Sequence, residues 1–307
     1  MGKARPQGRA STNVMLNRRF FITGSLAALL PSMPVVAEAA RRIAAVDWAA
    51  AESLLALGVA PLAVADTGYY NQRMPQLLPA STYDIGPFWE VNLELLDRLR
   101  PDLILIGAAS LFMTKRLNEI APVEVVEDMT GDKSYGRAAA ILRQCGRAAG
   151  LPSSEVEAVL SNIEQRMQSL AAKVGRGRPV CILLPDQSGS RAMVYGNGSM
   201  PGAVVTRLGL QNAWQGPTNA NGFIQVGFDQ LMALEDSVFM QIEIPSLAPQ
   251  TNRALSDSQL WHRLPAVREG RVVRMQQFYP FGGCISTLLL AEALARALQD
   301  PLGTGIP

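Results

Sequence analysis

Short apolar runs alternate with helical stretches along residues 41–126. Ile43-Ala44-Ala45-Val46 reads as a strand, Ala49 to Leu57 as a helix stopped by Gly58, and Pro61-Leu62-Ala63-Val64-Ala65 as a second strand. Val91 to Leu99 has apolar residues at 91, 95, 96 and 99, the spacing of one helix face. Asp102-Leu103-Ile104-Leu105-Ile106-Gly107 is a continuous apolar strand, as a parallel sheet covered on both faces requires. A helix over 113–120 and a strand over 123–126 complete this half. Such alternation implies βαβ units and a mostly parallel sheet.

The middle of the chain changes period. Val156, Leu160, Ile163, Met167, Leu170 and Val174 are spaced by alternating fours and threes, the stripe of one long amphipathic helix. Ser154 and Glu157 are set as a capping box at its start, and Gly175, Gly177 and Pro179 end it. At 1.5 Å per residue this is a rod of about 30 Å. A rod joining two α/β halves and a crossover helix inside one larger sheet both fit; its length between two such halves favours the first.

The α/β pattern then restarts. Val180 to Leu184 and Ala192 to Tyr195 read as strands, the latter ending in the turn Gly196-Asn197-Gly198. Gly202 to Leu208 is helical, Ser237 to Ile244 is extended, Arg271 to Met275 is a late strand and Ser286 to Leu298 a final helix. The fold class expected is α/β, with two Rossmann-like lobes, their sheets mostly parallel, bridged by one long α-helix. The first lobe covers residues 40–152, the bridging helix 153–177 and the second lobe 178–307. Ligands of such molecules bind in the cleft between lobes.

Composition alters this picture at the N-terminus. Lys3, Arg5, Arg9, Arg18 and Arg19 precede a mildly apolar stretch from Phe20 to Leu30, and Ala37-Glu38-Ala39 follows. That is a charged region, a short apolar region and a small-residue cleavage site, so residues 1–39 read as a signal peptide. Arg18-Arg19-Phe20-Phe21-Ile22 resembles the twin-arginine export signature, with an ordinary Sec signal or a start at Met15 as the alternatives, and a periplasmic protein is expected. Removing five cations and one acid takes the formal charge from +2 to −2. The basicity belongs to the signal, and no basic run suggests a nucleic-acid face.

Several chemistries lack their residues. His262 is the only histidine, too few for the clusters that hold zinc or other transition metals. No phosphate loop, dinucleotide fingerprint or nucleophile elbow follows a strand. Gly68 reads as a loop glycine in a turn-prone context. Cys145, Cys181 and Cys284 are odd in number and widely spaced, which is no disulfide framework, although a single bridge stays open. Aromatic residues make up only 6% of the chain, yet Trp48, Tyr69, Tyr70, Phe88, Trp89, Trp214, Tyr279 and Phe281 occupy loop-like positions. Loops at the carboxyl ends of strands are where α/β folds place ligands. Capping of the core is the competing role of each ring.

The chain resembles the periplasmic siderophore-binding proteins of ABC importers, specifically the ferric-hydroxamate-binding (FhuD-like) group. The resemblance covers nearly all of residues 41–299. It is carried by Arg42-Ile43-Ala44-Ala45-Val46-Asp47-Trp48, by the stretch from Glu52 to Pro61, and by Val64-Ala65-Asp66-Thr67. Asn92-Leu93-Glu94-Leu95-Leu96, Arg100-Pro101, Ile120-Ala121-Pro122, Asn212-Ala213-Trp214-Gln215-Gly216 with Thr218-Asn219, and Leu260-Trp261 continue it. It implies two lobes bridged by one helix with limited hinge motion. It also implies one acid per lobe that docks on the membrane permease, matched here by Glu94 and Asp229. An acid in the first turn of a helix also serves the helix itself, by about 0.3–1 kcal/mol.

The pocket departs from that group. Its arginine before the Asn-Leu-Glu helix is missing from Pro87-Phe88-Trp89-Glu90, its tyrosine falls at Ser110, and its tryptophan falls at Asn221. The late aromatic pair persists as Tyr279 and Phe281. The resemblance implies capture of an iron(III)-siderophore, iron held by the siderophore itself, with no cofactor and no catalysis. Walls are expected from Trp48, Phe88, Trp89, Tyr279 and Phe281, and polar contacts from Tyr69, Tyr70, Ser110 or Asn221. A monomer that partners an ABC permease is expected. Other readings stay open: a corrinoid or haem ligand, the latter with Tyr69 or Tyr279 as axial group; an exported α/β enzyme; or a partner-binding protein with a degenerate pocket.

Overall fold

The computed structural model describes residues 41–74, 77–126, 135–175 and 177–299; the twin-arginine stretch and its cleavage site lie outside them. The first lobe begins with β1 (Ile43–Ala45), α1 (Trp48–Ala56), β2 (Ala63–Val64), α2 (Thr67–Arg73) and β3 (Tyr83–Asp84). It continues with α3 (Leu93–Leu99), β4 (Leu103–Ile106), a 3-10 turn over Ala108–Met113, α4 (Thr114–Asn118), β5 (Val123–Val125) and α5 (Tyr135–Ala148). Its strands lie in the order β3-β2-β1-β4-β5, all parallel. Alternate residues point to opposite faces of a strand. Ile43, Ala45, Leu103 and Leu105 accordingly share a core with Leu54, Ile141 and Cys145. Ala44, Val46, Ile104 and Ile106 pack on the other face with Leu96 and Leu117. Both faces are covered, which is why the β4 sequence is apolar without interruption.

The next helix, α6 (Ser153–Val174), is the expected rod. Val156, Leu160, Ile163 and Met167 are buried along it. They share one core with Ala138, Ala139 and Leu142 of α5 and with Val180 and Ile182 beyond. The capping box expected at its start is absent: Pro152 occupies the N-cap position and Ser154 lies inside the first turn. Glu157 instead forms a forked ion pair with Arg143 of α5, at 2.6 and 2.9 Å. A bidentate guanidinium–carboxylate pair outcompetes a single capping bond for that carboxylate.

The second lobe comprises β6 (Val180–Pro185), β7 (Arg191–Tyr195), α7 (Met200–Arg207), β8 (Phe223–Gly227), α8 (Phe228–Leu231) and β9 (Val238–Glu243). It ends with α9 (Ala248–Asp257), α10 (Gln259–Arg263), α11 (Pro265–Arg268), β10 (Val272–Gln276) and α12 (Cys284–Gln299). The strand order is β10-β9-β6-β7-β8. Strands β10, β9 and β6 are parallel, whereas β6–β7 and β7–β8 are antiparallel. The sheets together are mostly parallel, and the reversal is confined to the edge where Gly189 and Gly222 take positive φ between strands.

Three local readings change. Gly68 lies inside α2 rather than in a turn, and Asp66, at φ 52°, initiates that helix. The helix read from Val91 starts at Leu93, because the Asn92 side chain accepts from the Leu95 N–H at 2.9 Å and caps it. Cys145, Cys181 and Cys284 are all buried free thiols, so the open question of a bridge closes. Among the described residues no helix is long and apolar enough to cross a membrane.

Candidate functional site between the lobes

Asp47 lies two residues beyond β1 and caps α1, its carboxylate accepting from the Ala50 N–H at 3.1 Å. This fixes Trp48 at the first helical position, at the carboxyl end of the sheet. Its indole N–H donates to the Ala65 carbonyl at 2.8 Å, beyond β2, which orients the ring. Tyr69 and Tyr70 of α2 lie at centroid distances of 5.6 and 5.4 Å, and Tyr279 of the second lobe at 5.0 Å. From Tyr279 the rings continue to Phe281 at 5.9 Å, from Phe281 to Phe223 at 6.1 Å, and from Phe223 to Tyr195 at 6.3 Å. Each step lies within the range in which aromatic pairs attract. The two lobes thus meet along a continuous seam of rings.

The expected wall residues and polar contacts divide by their placement. Trp48, Tyr69, Tyr70, Tyr279 and Phe281 join this seam. Tyr69 and Phe281 are exposed, at 39% each, whereas Tyr70 is fully buried behind Trp48. Phe88 and Trp89 are exposed and form their own edge-to-face pair at 4.8 Å. Ser110 is buried, and its hydroxyl donates to the Phe88 carbonyl at 3.3 Å. That hydroxyl is committed to holding the Phe88 loop, not offered to solvent. Asn221 is exposed in the turn before β8, its N–H donating to the Asn219 side chain at 2.8 Å.

Sequence reasoning missed Tyr195, Phe223, Phe278 and Arg73. Tyr195 and Phe278 are partners at 6.3 Å. Phe223 reaches the seam only because β8 pairs antiparallel with β7, which sets it opposite Tyr195. The Arg73 guanidinium lies 4.1 Å from the centre of the Tyr69 ring. No sequence signal marked it, since its position depends on α2.

The charges near the seam are unusual. Glu52 of α1 is 1% exposed; burial pushes its carboxyl up to about 8, against hydrogen bonds from Ser286 that favour the ionised form. Burial raises the Tyr195 phenol to about 12, while the charge of Arg73 acts in the opposite direction. Burial, with the Glu52 charge added, raises Tyr70 well above the usual phenol range, and its hydroxyl has no partner. Burial also disfavours ionisation of Asp84, but hydrogen bonds from Thr67, Gly86 and Gly68 outweigh it and lower its carboxyl. The three thiols are all raised by burial, as fits small apolar residues rather than nucleophiles.

Glu94 is exposed in the first turn of α3, and Asp229 is exposed in the first turn of α8. His262 is exposed, with Nε2 2.9 Å from the Ser256 carbonyl. Among the described residues no three His, Cys, Asp or Glu side chains converge as a metal would need. A separate cavity of about 330 Å³ opens in the second lobe between the ends of β6 and β9 and the start of α9, lined by Asp186, Gln225, Gln241, Glu243 and Asn252 among others. None of the seam rings lines it.

Comparison with known proteins is consistent across sequence and fold. The family model for periplasmic binding proteins matches residues 43–278. The iron(3+)-hydroxamate-binding protein FhuD of Escherichia coli is 30% identical over 290 residues, spanning 92% of this chain and 97% of that protein. The Fe(3+)-citrate-binding protein YfmC of Bacillus subtilis is 22% identical over 240 residues, 76% of this chain and 72% of that one. The crystal structure of the siderophore-binding protein FhuD from Vibrio cholerae, bound to Fe3+–Desferal, superposes with a TM-score of 0.78 at 25% identity. It covers 85% of this chain and 98% of its own.

Proposed function

This chain belongs to the periplasmic binding protein family, and we propose that it captures a ferric siderophore of the hydroxamate type and delivers it to the inner-membrane permease of an ABC importer. The observation that carries this reading is the ring seam, in which Trp48 from one lobe meets Tyr279 from the other. Flat apolar walls with polar tips suit a bulky chelate whose organic shell, not the protein, satisfies the metal. Iron(III) travels here as cargo, and its ligands come from the siderophore.

The same reading assigns the rest of the molecule. The N-terminal pattern supports export through the twin-arginine route, as a folded protein. Glu94 and Asp229, one exposed acid on each lobe, are the groups that would meet permease arginines. The chemistry is binding and release, without a covalent step. Equilibrium dialysis of the purified protein against iron-labelled ferric desferrioxamine, ferric citrate and haem tests the ligand. Retention of the ferric hydroxamate is expected. Retention of haem alone, or of none of the three, would overturn the assignment.

A further inference from the structure

Arg73 ends α2 at the place where the first lobe touches the second. The residue before it, Gln72, accepts at its carbonyl from the Gln277 side chain at 3.1 Å. In the residue after it, the Met74 sulfur lies 3.8 Å from the Ser286 hydroxyl. Arg73 is therefore held at the lobe boundary by contacts on either side. Its guanidinium spreads over the exposed ring of Tyr69. A cation–π contact of this kind holds the charge over the ring without spending any of its N–H donors. The charge also reaches across the seam, since it opposes the rise of the Tyr195 phenol.

Among the described residues no hydrogen bond uses the donors of this guanidinium. Nε is buried and has no hydrogen-bond partner, and among the described residues no carboxylate is ion-paired with Arg73. A buried donor left without an acceptor costs about as much as a lost hydrogen bond, and more when the group is charged. Such a group persists where a ligand supplies the acceptor. We infer that Arg73 is a ligand-contact residue that donates from its position on Tyr69 to the negatively charged, iron-bound oxygens of the captured chelate. The assignment rests on the capture reading, and names the part of the ligand that the seam recognises: anionic oxygens at the edge of a chelate whose apolar shell lies on the rings.

The test compares wild type with Arg73→Met and Arg73→Gln, using ferric desferrioxamine as the probe and dialysis as the readout. Both variants should lose affinity by about ten- to a hundredfold, the usual weight of a hydrogen bond to a charged group. Arg73→Gln keeps most of the length and a donor, so it reports on charge if Arg73→Met does not fold. Wild-type affinity that persists in the folded variant would overturn the Arg73 assignment alone. Failure of the wild type to bind would overturn the capture reading and this assignment with it.

Discussion

Glu52 of α1 accepts two hydrogen bonds from Ser286 of α12, one from the backbone N–H at 3.2 Å and one from the hydroxyl at 2.6 Å. This buried contact ties the first lobe to the last helix of the second. With its carboxyl raised from 4.5 to about 8, the folded chain holds a proton that the unfolded chain releases between those values. Folding then takes up a proton, so stability should fall as pH rises across that window, by up to about 1.4 kcal/mol per unit. Glu52→Gln mimics the protonated acid and should flatten that slope. Thermal melts at several pH values check this; an unchanged slope in the variant would contradict it.

The exposed end of the seam should matter to ligand more than to fold. Phe281→Ala removes a ring that is 39% exposed and touches Tyr279 and Phe223. Its expected effect is a loss of affinity of about two- to tenfold, the weight of one aromatic contact. Little change in the denaturant midpoint should accompany it. A large stability loss without an affinity loss would assign Phe281 to the core.

Transport should separate from capture. Charge reversal of Glu94 and Asp229 together alters two exposed acids and no core residue. Uptake of labelled ferric siderophore by cells should then be abolished, while dialysis finds ligand binding unchanged. Uptake at the wild-type rate would refute the docking role.

Export is checked at the other end of the chain. Replacing Arg18-Arg19 by two lysines should leave the protein in the cytoplasm, as fractionation and immunoblotting would show. Normal appearance in the periplasm would point to a route that does not read the arginine pair.

Much of the fold was legible because burial on two faces writes itself into composition. Leu103–Ile106 had to be apolar throughout, and the stripe from Val156 to Met167 had to repeat at helical spacing. What was missed depends on tertiary context. In α2, Gly68, Asn71 and Gln72 carry no helical stripe, and the helix forms where the Asp66 carbonyl accepts from the Tyr69 and Tyr70 N–H groups. β3 pairs two exposed residues with β2, leaving no apolar run to read. Of the site, the rings of Trp48, Tyr279 and Phe281 were legible as aromatic residues in loops. Phe223 was not, because an antiparallel turn of the second sheet delivers it. Arg73 was not, because a single cation in a polar stretch gains meaning only from what surrounds it.

The central claim, that the ring seam receives a ferric chelate, is tested most directly by tryptophan fluorescence. Trp48 is packed in the first lobe's core where it meets Tyr279 across the seam, whereas Trp214 and Trp261 lie in the core of the second lobe, away from the seam, and Trp89 is exposed outside it. Titration with ferric desferrioxamine should quench the wild-type emission saturably, and most of that quenching should vanish in Trp48→Phe. No saturable quenching of the wild type, or equal quenching in both proteins, would contradict the account.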